Sequence, residues 1–176
     1  MEIKRVEEIK LLPTVVKEIK ALLQECFPNY PEDRIYYHQI PNFRFLTYEH
    51  KKLIGQMAVD HRIMDVDGLQ CQVLGISDFC ISAAMRKKTI ASQMLAEIES
   101  FALKYNIDFL VLTTLDASLY EKNGFKRKSN ICKWLAVLKG QTLGVHYKRL
   151  DNAIMVKELN NKSWGDGHVD FLGPIF

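Results

Sequence analysis

The chain has 176 residues, 48% hydrophobic and 26% charged, with a net charge of +3 and a pI of about 8.6. That is enough apolar material for one substantial core and too little length for two large ones, so a single domain over residues 1–176 is expected, ending in a tail at about 160–176. The mild charge excludes the dense basic stripe of a dedicated nucleic-acid binder, and no run of about 18 apolar residues spans a bilayer. A cytoplasmic protein with neither nucleic acid nor membrane as partner is expected. Cys26, Cys71, Cys80 and Cys132 are scattered, and neither they nor the histidines show zinc-ligand spacing, so a reducing compartment and no metal are expected.

An apolar alternation around Ile3 to Ile9 predicts a first strand, and Pro13 sits where a helix begins. Val15, Val16, Ile19, Leu22, Leu23 and Cys26 then recur at helical spacing, up to a stop at Pro28. The stretch PEDRIYYHQI, a proline followed by acids, is read as a short helix start. From Asn42 to Ile81 the pattern becomes strand-like: NFRFLTYE, KLIGQMAVDHRIMDV and LQCQVLGISDFCI are divided by turns at His50-Lys51 and Asp67-Gly68, which predicts an antiparallel meander. His61 on this meander is read as a solvent-facing strand residue.

TIASQMLAEIESFALKY carries the clearest helical stripe, formed by Ile90, Met94, Ile98, Phe101 and Tyr105 with Ala91, Leu95 and Ala102. IDFLVLTTL is a nearly continuous apolar run, as in a strand buried on both faces within a parallel β-α-β unit. DASLYEKNG predicts a short helix ended by Gly124, followed by a strand from Phe125. Residues 127–149 are read as a strand plus an excursion, and AIMVKEL as the last strand.

The junction Arg86-Lys87-Lys88-Thr89-Ile90-Ala91 follows a buried strand and opens the best helix. Unpaired first-turn amides, the positive end of the helix dipole and three cations together suit a pyrophosphate. A basic tripeptide alone is more often a solvated face; its position favours the ligand reading.

This order of elements resembles the GNAT N-acetyltransferase superfamily, and two motifs carry the resemblance. Arg86, Thr89 and Ala91 fall on the three positions of a Q/R-x-x-G-x-G/A pyrophosphate loop, with threonine replacing the middle glycine. Leu119-Tyr120-Glu121-Lys122-Asn123-Gly124-Phe125 is similar to the superfamily's L-Y-E-K-x-G-F signature. The segment FCISAAMRKKTIASQML and the Trp164-Gly165-Asp166 tail are distantly similar to aminoglycoside 2′-N-acetyltransferases. The resemblance implies an α/β fold with a central mixed sheet of about six to seven strands and helices on both faces.

It also implies an acyltransferase that uses acetyl-CoA and no metal. Tyr120 would protonate the CoA thiolate, against the alternative of a packed core tyrosine. Asp78 would accept the amine proton, unless Ser77 or a water chain does so. Backbone groups of Phe79, Cys80 and Ile81 would pair with the pantetheine arm, which leaves Cys80 a buried apolar thiol. Arg86, Lys87, Lys88, Thr89, Ile90 and Ala91 would hold pyrophosphate, and Thr113 or Thr114 the arm. Asp33, Asp166 and Asp170 are candidates to attract a cationic acceptor. The expected partner is a small-molecule amine, an aminoglycoside or polyamine being examples, and the reading leaves room for a homodimer. The alternatives are a protein or peptide N-acetyltransferase and, because of Thr89, a non-catalytic acyl-CoA-binding regulatory module.

Overall fold

The structure, a computed structural model, describes residues 1–86 and 88–176, without the side chain of Asn152. The elements run β1 (Glu2–Glu7), α1 (Pro13–Cys26), β2 (Phe43–Glu49), β3 (Lys52–Val66), β4 (Leu69–Ile81), α2 (Ile90–Lys104), β5 (Phe109–Thr113), α3 (Ser118–Lys122), β6 (Lys126–Leu138), β7 (Gln141–Glu158) and β8 (His168–Asp170). Strand order is β1-β2-β3-β4-β5-β7-β6-β8 in an eight-stranded mixed sheet, the α/β class expected. The excess over six or seven strands comes from the tail: AIMVKEL is not the last strand, because the chain returns after it as β8. Residues 127–149 resolve into a long β6–β7 ribbon that turns at Lys139 and Gly140, both at positive φ (50° and 76°). The residues fall into two compact units, Met1–Asp60 with Ile76–Ile98, and His61–Gly75 with Glu99–Phe176.

In the first unit β1 lies antiparallel to β2, and β2 to β3. The β2–β3 turn places His50 and Lys51 at φ 48° and 65°, the left-handed pair of a tight hairpin turn. Pro13 starts α1, whose Ile19, Leu22 and Leu23 pack with Tyr30, Ile35, Leu46, Leu53 and Cys80. The helix read into PEDRIYYHQI does not form. Its Ile35 carbonyl instead accepts from Arg44 Nη2 at 2.7 Å, and just before the stretch the Tyr30 hydroxyl donates to Asp78 Oδ2 at 2.7 Å.

Arg44 is fully buried on β2. Its Nε and Nη2 donate to Glu8 Oε2 and Oε1 at 2.7 and 2.9 Å, and Nη1 donates to Gln56 Oε1 at 2.8 Å. Gln56 Nε2 in turn donates to the Asp78 carbonyl. Burial raises the carboxyl pKa of Asp78, and the Tyr30 hydrogen bond and the Arg44 charge oppose it without cancelling it.

In the second unit β4 runs parallel to β5, β5 antiparallel to β7, β7 antiparallel to β6, and β6 parallel to β8. Asp65 and Val66 of β3 pair with Asp170 and Val169 of β8, so these strand segments close into a ring with no free edge among them. Its interior holds Met64, Val73, Phe109, Val111, Ile154, Val156, Trp164 and Phe171. Trp164 stands edge-on to Phe109, ring centroids 5.1 Å apart. Its indole N–H donates to Asn130 Oδ1 at 2.9 Å, while Asn130 Nδ2 donates to the Gly165 and Gly167 carbonyls, each at 2.9 Å. Asn130 thereby fastens the tail to β6.

In α2 the stripe is narrower than the sequence suggests: Ile90, Met94, Leu95, Ile98 and Ala102 are buried, whereas Tyr105 is exposed beyond the last turn.

Two outcomes are expected. Asn130→Ala should lower unfolding stability in urea by about 3 kcal/mol, roughly 1 kcal/mol for each hydrogen bond lost, while the exposed Leu143→Ala changes it by less than about 0.5 kcal/mol. Because the folded state holds the Asp78 proton more tightly than the unfolded chain, its contribution is greatest below the unfolded carboxyl pKa and declines as pH rises toward the raised folded value. Asp78→Asn should therefore remove a decline in stability across that window, measured by urea titrations at stepped pH; equal curves for both proteins would refute the assignment.

Candidate functional site

The first unit holds Asp78 and the loop that leads into α2. Asp78 sits near the end of β4 at φ +50°, a left-handed backbone that a non-glycine residue adopts only when its surroundings impose it. Gln56 on its carbonyl and Tyr30 on its carboxylate impose it here. A largely desolvated carboxyl with a raised pKa, held by one hydroxyl donor, is a better proton acceptor near neutrality than an exposed aspartate. Tyr30, whose hydroxyl reaches the carboxylate, belongs to a run of rings: Phe27 and Tyr30 at 6.0 Å, Tyr30 and Tyr37 at 6.1 Å, and Tyr37 and His38 edge-on at 4.9 Å. A carboxylate tied to a run of aromatic rings suits an organic cation.

After β4 the chain is fixed by Glu25 on α1. Its Oε1 accepts from the Ser82 hydroxyl at 3.0 Å and the Ala83 amide at 2.7 Å, and these donors hold its pKa below the usual value. A single 3₁₀ turn, Ala83–Met85, then presents Arg86 in extended backbone. Arg86, Lys88 and Thr89 are exposed, whereas Ile90 is buried and Ala91 partly so. Lys87 lies outside the described residues. The Thr89 carbonyl accepts from the Gln93 amide at 2.9 Å, the first bond of the helix, which makes Thr89 its N-cap. Exposed cations ahead of a 15-residue helix are what a polyphosphate needs, so the residues fit the diphosphate of acetyl-CoA.

Phe79, Cys80 and Ile81 end β4. The Ile81 carbonyl is shared by Cys26 Sγ at 3.4 Å and Arg86 Nε at 3.3 Å. Cys80 is buried, as the sequence suggests. Cys26 is its unexpected neighbour in the apolar cluster under α1.

The second unit holds the other candidates. Tyr120, on α3, is half-buried and edge-on to Phe125 at 5.8 Å; burial first, and the charge of Asp116 second, push its phenol up to about 12. Gly124 takes φ +85° and returns the chain from α3 to β6, which accounts for the glycine in the motif. The Thr113 hydroxyl donates to the Phe176 carbonyl at 2.7 Å, and that of Thr114 to the Asp116 carbonyl at 3.1 Å. Asp166 is exposed, 4.0 Å from Lys128, and Asp170 is paired with Lys133 at 2.8 Å. Trp164, which carried the resemblance of the tail to aminoglycoside 2′-N-acetyltransferases, is a core residue of this unit. In the first unit Asp33 is exposed and 3.5 Å from Arg34.

Sequence reasoning missed Arg44, Gln56, Tyr30 and Cys26. Arg44 was detectable, since a charge between Phe43 and Phe45 in an apolar strand must be paired if buried. Tyr30 and Cys26 carried no local signal, because their partners Asp78 and Cys80 are remote in sequence.

Among the described residues no group of side chains is arranged to hold a metal ion, and no helix is long and apolar enough to cross a membrane. Residues 41–127, from before β2 to the start of β6, match the family described as "Acetyltransferase (GNAT) domain". No curated protein matches the chain. Solved structures of similar fold include Eis1 from Mycobacterium abscessus, at 9% identity and TM-score 0.62, covering 73% of this chain and 32% of that one. The GNAT family N-acetyltransferase YhbS from Escherichia coli, in complex with CoA, has 20% identity and TM-score 0.60 over 96% of this chain and 88% of that one. The IAA acetyltransferase from Bacillus cereus has 15% identity and TM-score 0.55 over 90% and 99%. The chain spans about a third of the length of Eis1 and of a GCN5-related N-acetyltransferase from Anabaena variabilis, 32% of each. The chain thus has the fold of the GNAT N-acetyltransferases, and residues 41–127 match the GNAT acetyltransferase domain itself.

Proposed function

We propose that the chain is an acetyl-CoA-dependent N-acetyltransferase whose acceptor is a primary amine on a small cationic molecule, a class that includes polyamines and aminoglycosides. The observation that carries this reading is Asp78, a carboxyl with raised pKa, imposed left-handed backbone and a tyrosine hydroxyl on its oxygen, four residues before the loop that leads into α2. The CoA bound to the Escherichia coli YhbS structure supports the cofactor class at the level of the fold.

In this reading Arg86 and Lys88 neutralise the diphosphate together with the first-turn amides of α2, and the end of β4 offers backbone groups to the arm. Acetyl-CoA supplies an activated thioester. The residues of the chain supply the proton traffic and the orientation. An amine arrives as an ammonium ion, attracted by the Asp78 carboxylate and the faces of Tyr30 and Tyr37, and becomes nucleophilic when its proton passes to Asp78 directly or through water. Tyr120 donates to the departing sulfur. With its phenol at about 12, well above the reference thiol value of about 8.5, it stays neutral through the working range and stabilises sulfur chiefly by the hydrogen bond.

Thiol release from acetyl-CoA, followed across a panel of polyamines, aminoglycosides and peptide amines, tests the reading. Turnover with a small cationic amine is expected, and no turnover with any member would sink it. Tyr120→Phe should lower kcat by about 100-fold with acetyl-CoA affinity within about twofold of the original, whereas Arg86→Ala should weaken acetyl-CoA binding about tenfold by calorimetry. Tyr30→Phe removes a hydrogen bond that lowers the Asp78 pKa, so the acidic limb of kcat/KM should move to higher pH; an unmoved limb would exclude Asp78 as the base.

A further inference from the structure

The proton traffic described above does not use the thiols of the first unit. Cys26 is the last residue of α1 and Cys80 the last but one of β4, and both belong to the apolar cluster beneath α1. The two side chains pack together in that cluster, and Cys26 Sγ donates to the carbonyl of Ile81, the residue after Cys80, at 3.4 Å; Arg86 Nε approaches the same oxygen to 3.3 Å. Cys80 is 7% exposed, whereas Cys26 is only partly buried, so solvent meets the pair mainly at Cys26.

These contacts divide the roles. The neighbouring Cys80 thiol first, and the Arg86 guanidinium second, hold the Cys26 pKa below that of an ordinary thiol. Cys80 is held above it by Cys26 and by its own burial. Cys71 and Cys132, in the second unit, donate to carbonyls of their own strands, those of Leu69 and Asn130, and burial raises both. The reactive character is therefore concentrated at one partly buried sulfur with a second cysteine packed beside it, the arrangement of an oxidised cysteine and its resolving partner.

We propose that Cys26 and Cys80 form a reversible disulfide in response to a hydroperoxide. The Cys26 thiolate attacks one peroxide oxygen: an S–O bond forms, the O–O bond breaks, and the leaving oxygen departs as an alcohol, or as water from hydrogen peroxide. The Cys80 sulfur then attacks the sulfur of the Cys26 sulfenic acid, forming the S–S bond and breaking S–O, while the Cys80 proton leaves with the hydroxide as water. Two thiols are oxidised and one peroxide is reduced. A small thiol such as glutathione restores the pair by exchange. The bond ties the end of α1 to the end of β4 and removes the thiol proton that Cys26 gives to the Ile81 carbonyl, leaving that oxygen to Arg86. The disulfide does not depend on acetyl-CoA binding, so its test is separate from that of the transferase reading.

The reduced full-length protein, treated with stoichiometric hydrogen peroxide at neutral pH, should lose two of its four titratable thiols, and non-reducing peptide mapping should find a Cys26–Cys80 link that glutathione reverses. Cys26→Ser should abolish the link. Cys80→Ser should leave a Cys26 sulfenic acid that dimedone traps, and Arg86→Ala should slow alkylation of Cys26 at pH 7. A link between any other pair, or Cys26 oxidised to sulfinic acid with Cys80 still reduced in the wild-type protein, overturns the proposal; the wild-type mapping decides even if a cysteine variant fails to fold.

Discussion

A fully buried guanidinium sets the terms for the first unit. An arginine removed from water is tolerated only when its charge is balanced and its donors are met, and Glu8, Gln56 and the Ile35 carbonyl meet those of Arg44. Each partner comes from a different stretch of chain, so the requirement becomes a constraint on assembly. Gln56, with its oxygen committed to Arg44, has its amide free to donate to the Asp78 carbonyl. Asp78 thus keeps its left-handed backbone because a charge two strands away needed a partner.

The second unit meets a different constraint, that of strand edges. Its tail brings β8 between β6 and β3, and the ring that results leaves no unpaired edge among those strands. Asn130 makes this closure specific, because one buried amide satisfies the Trp164 indole and the carbonyls on either side of Asp166. A tryptophan near a chain end invites a ligand-binding reading; here the demand of its N–H for a buried partner explains its position without a ligand.

Local chemistry was legible in the sequence, and remote pairing was not. The turns at His50-Lys51 and Asp67-Gly68, the parallel β5 and the glycine after α3 each follow from a few adjacent residues whose backbone preference or periodicity is decisive. The short helix expected in PEDRIYYHQI failed because Ile35 is bound to Arg44 and Tyr30, just before the stretch, to Asp78, partners that no local window contains. The residues of the loop before α2 were visible as a motif, whereas its anchor, Glu25 on Ser82 and Ala83, was not. Of the Asp78 site the carboxyl itself was legible; its donor Tyr30 and its brace Gln56 were not.

Thr89 brings these strands of reasoning together. In a pyrophosphate loop, glycine serves either to allow left-handed backbone or to let the ligand approach closely, and threonine at that position opposes both. Thr89 is not among the described residues at positive φ, so the first need does not arise. It stands instead at the N-cap of α2, where a hydroxyl-bearing residue is favoured over most others and helps to fix the first turn. The departure from the motif therefore costs no backbone strain and leaves only a question of shape, one methyl and one hydroxyl at the mouth of the helix. A polyphosphate held there depends the more on charge. Of the two described cations, Lys88 reaches back to the Met85 sulfur at 3.5 Å, while Arg86 Nε is held by the Ile81 carbonyl, the oxygen it shares with Cys26 Sγ. In the transferase reading proposed above, the arginine that would compensate for the missing glycine is thus the one whose anchor a Cys26–Cys80 bond would alter.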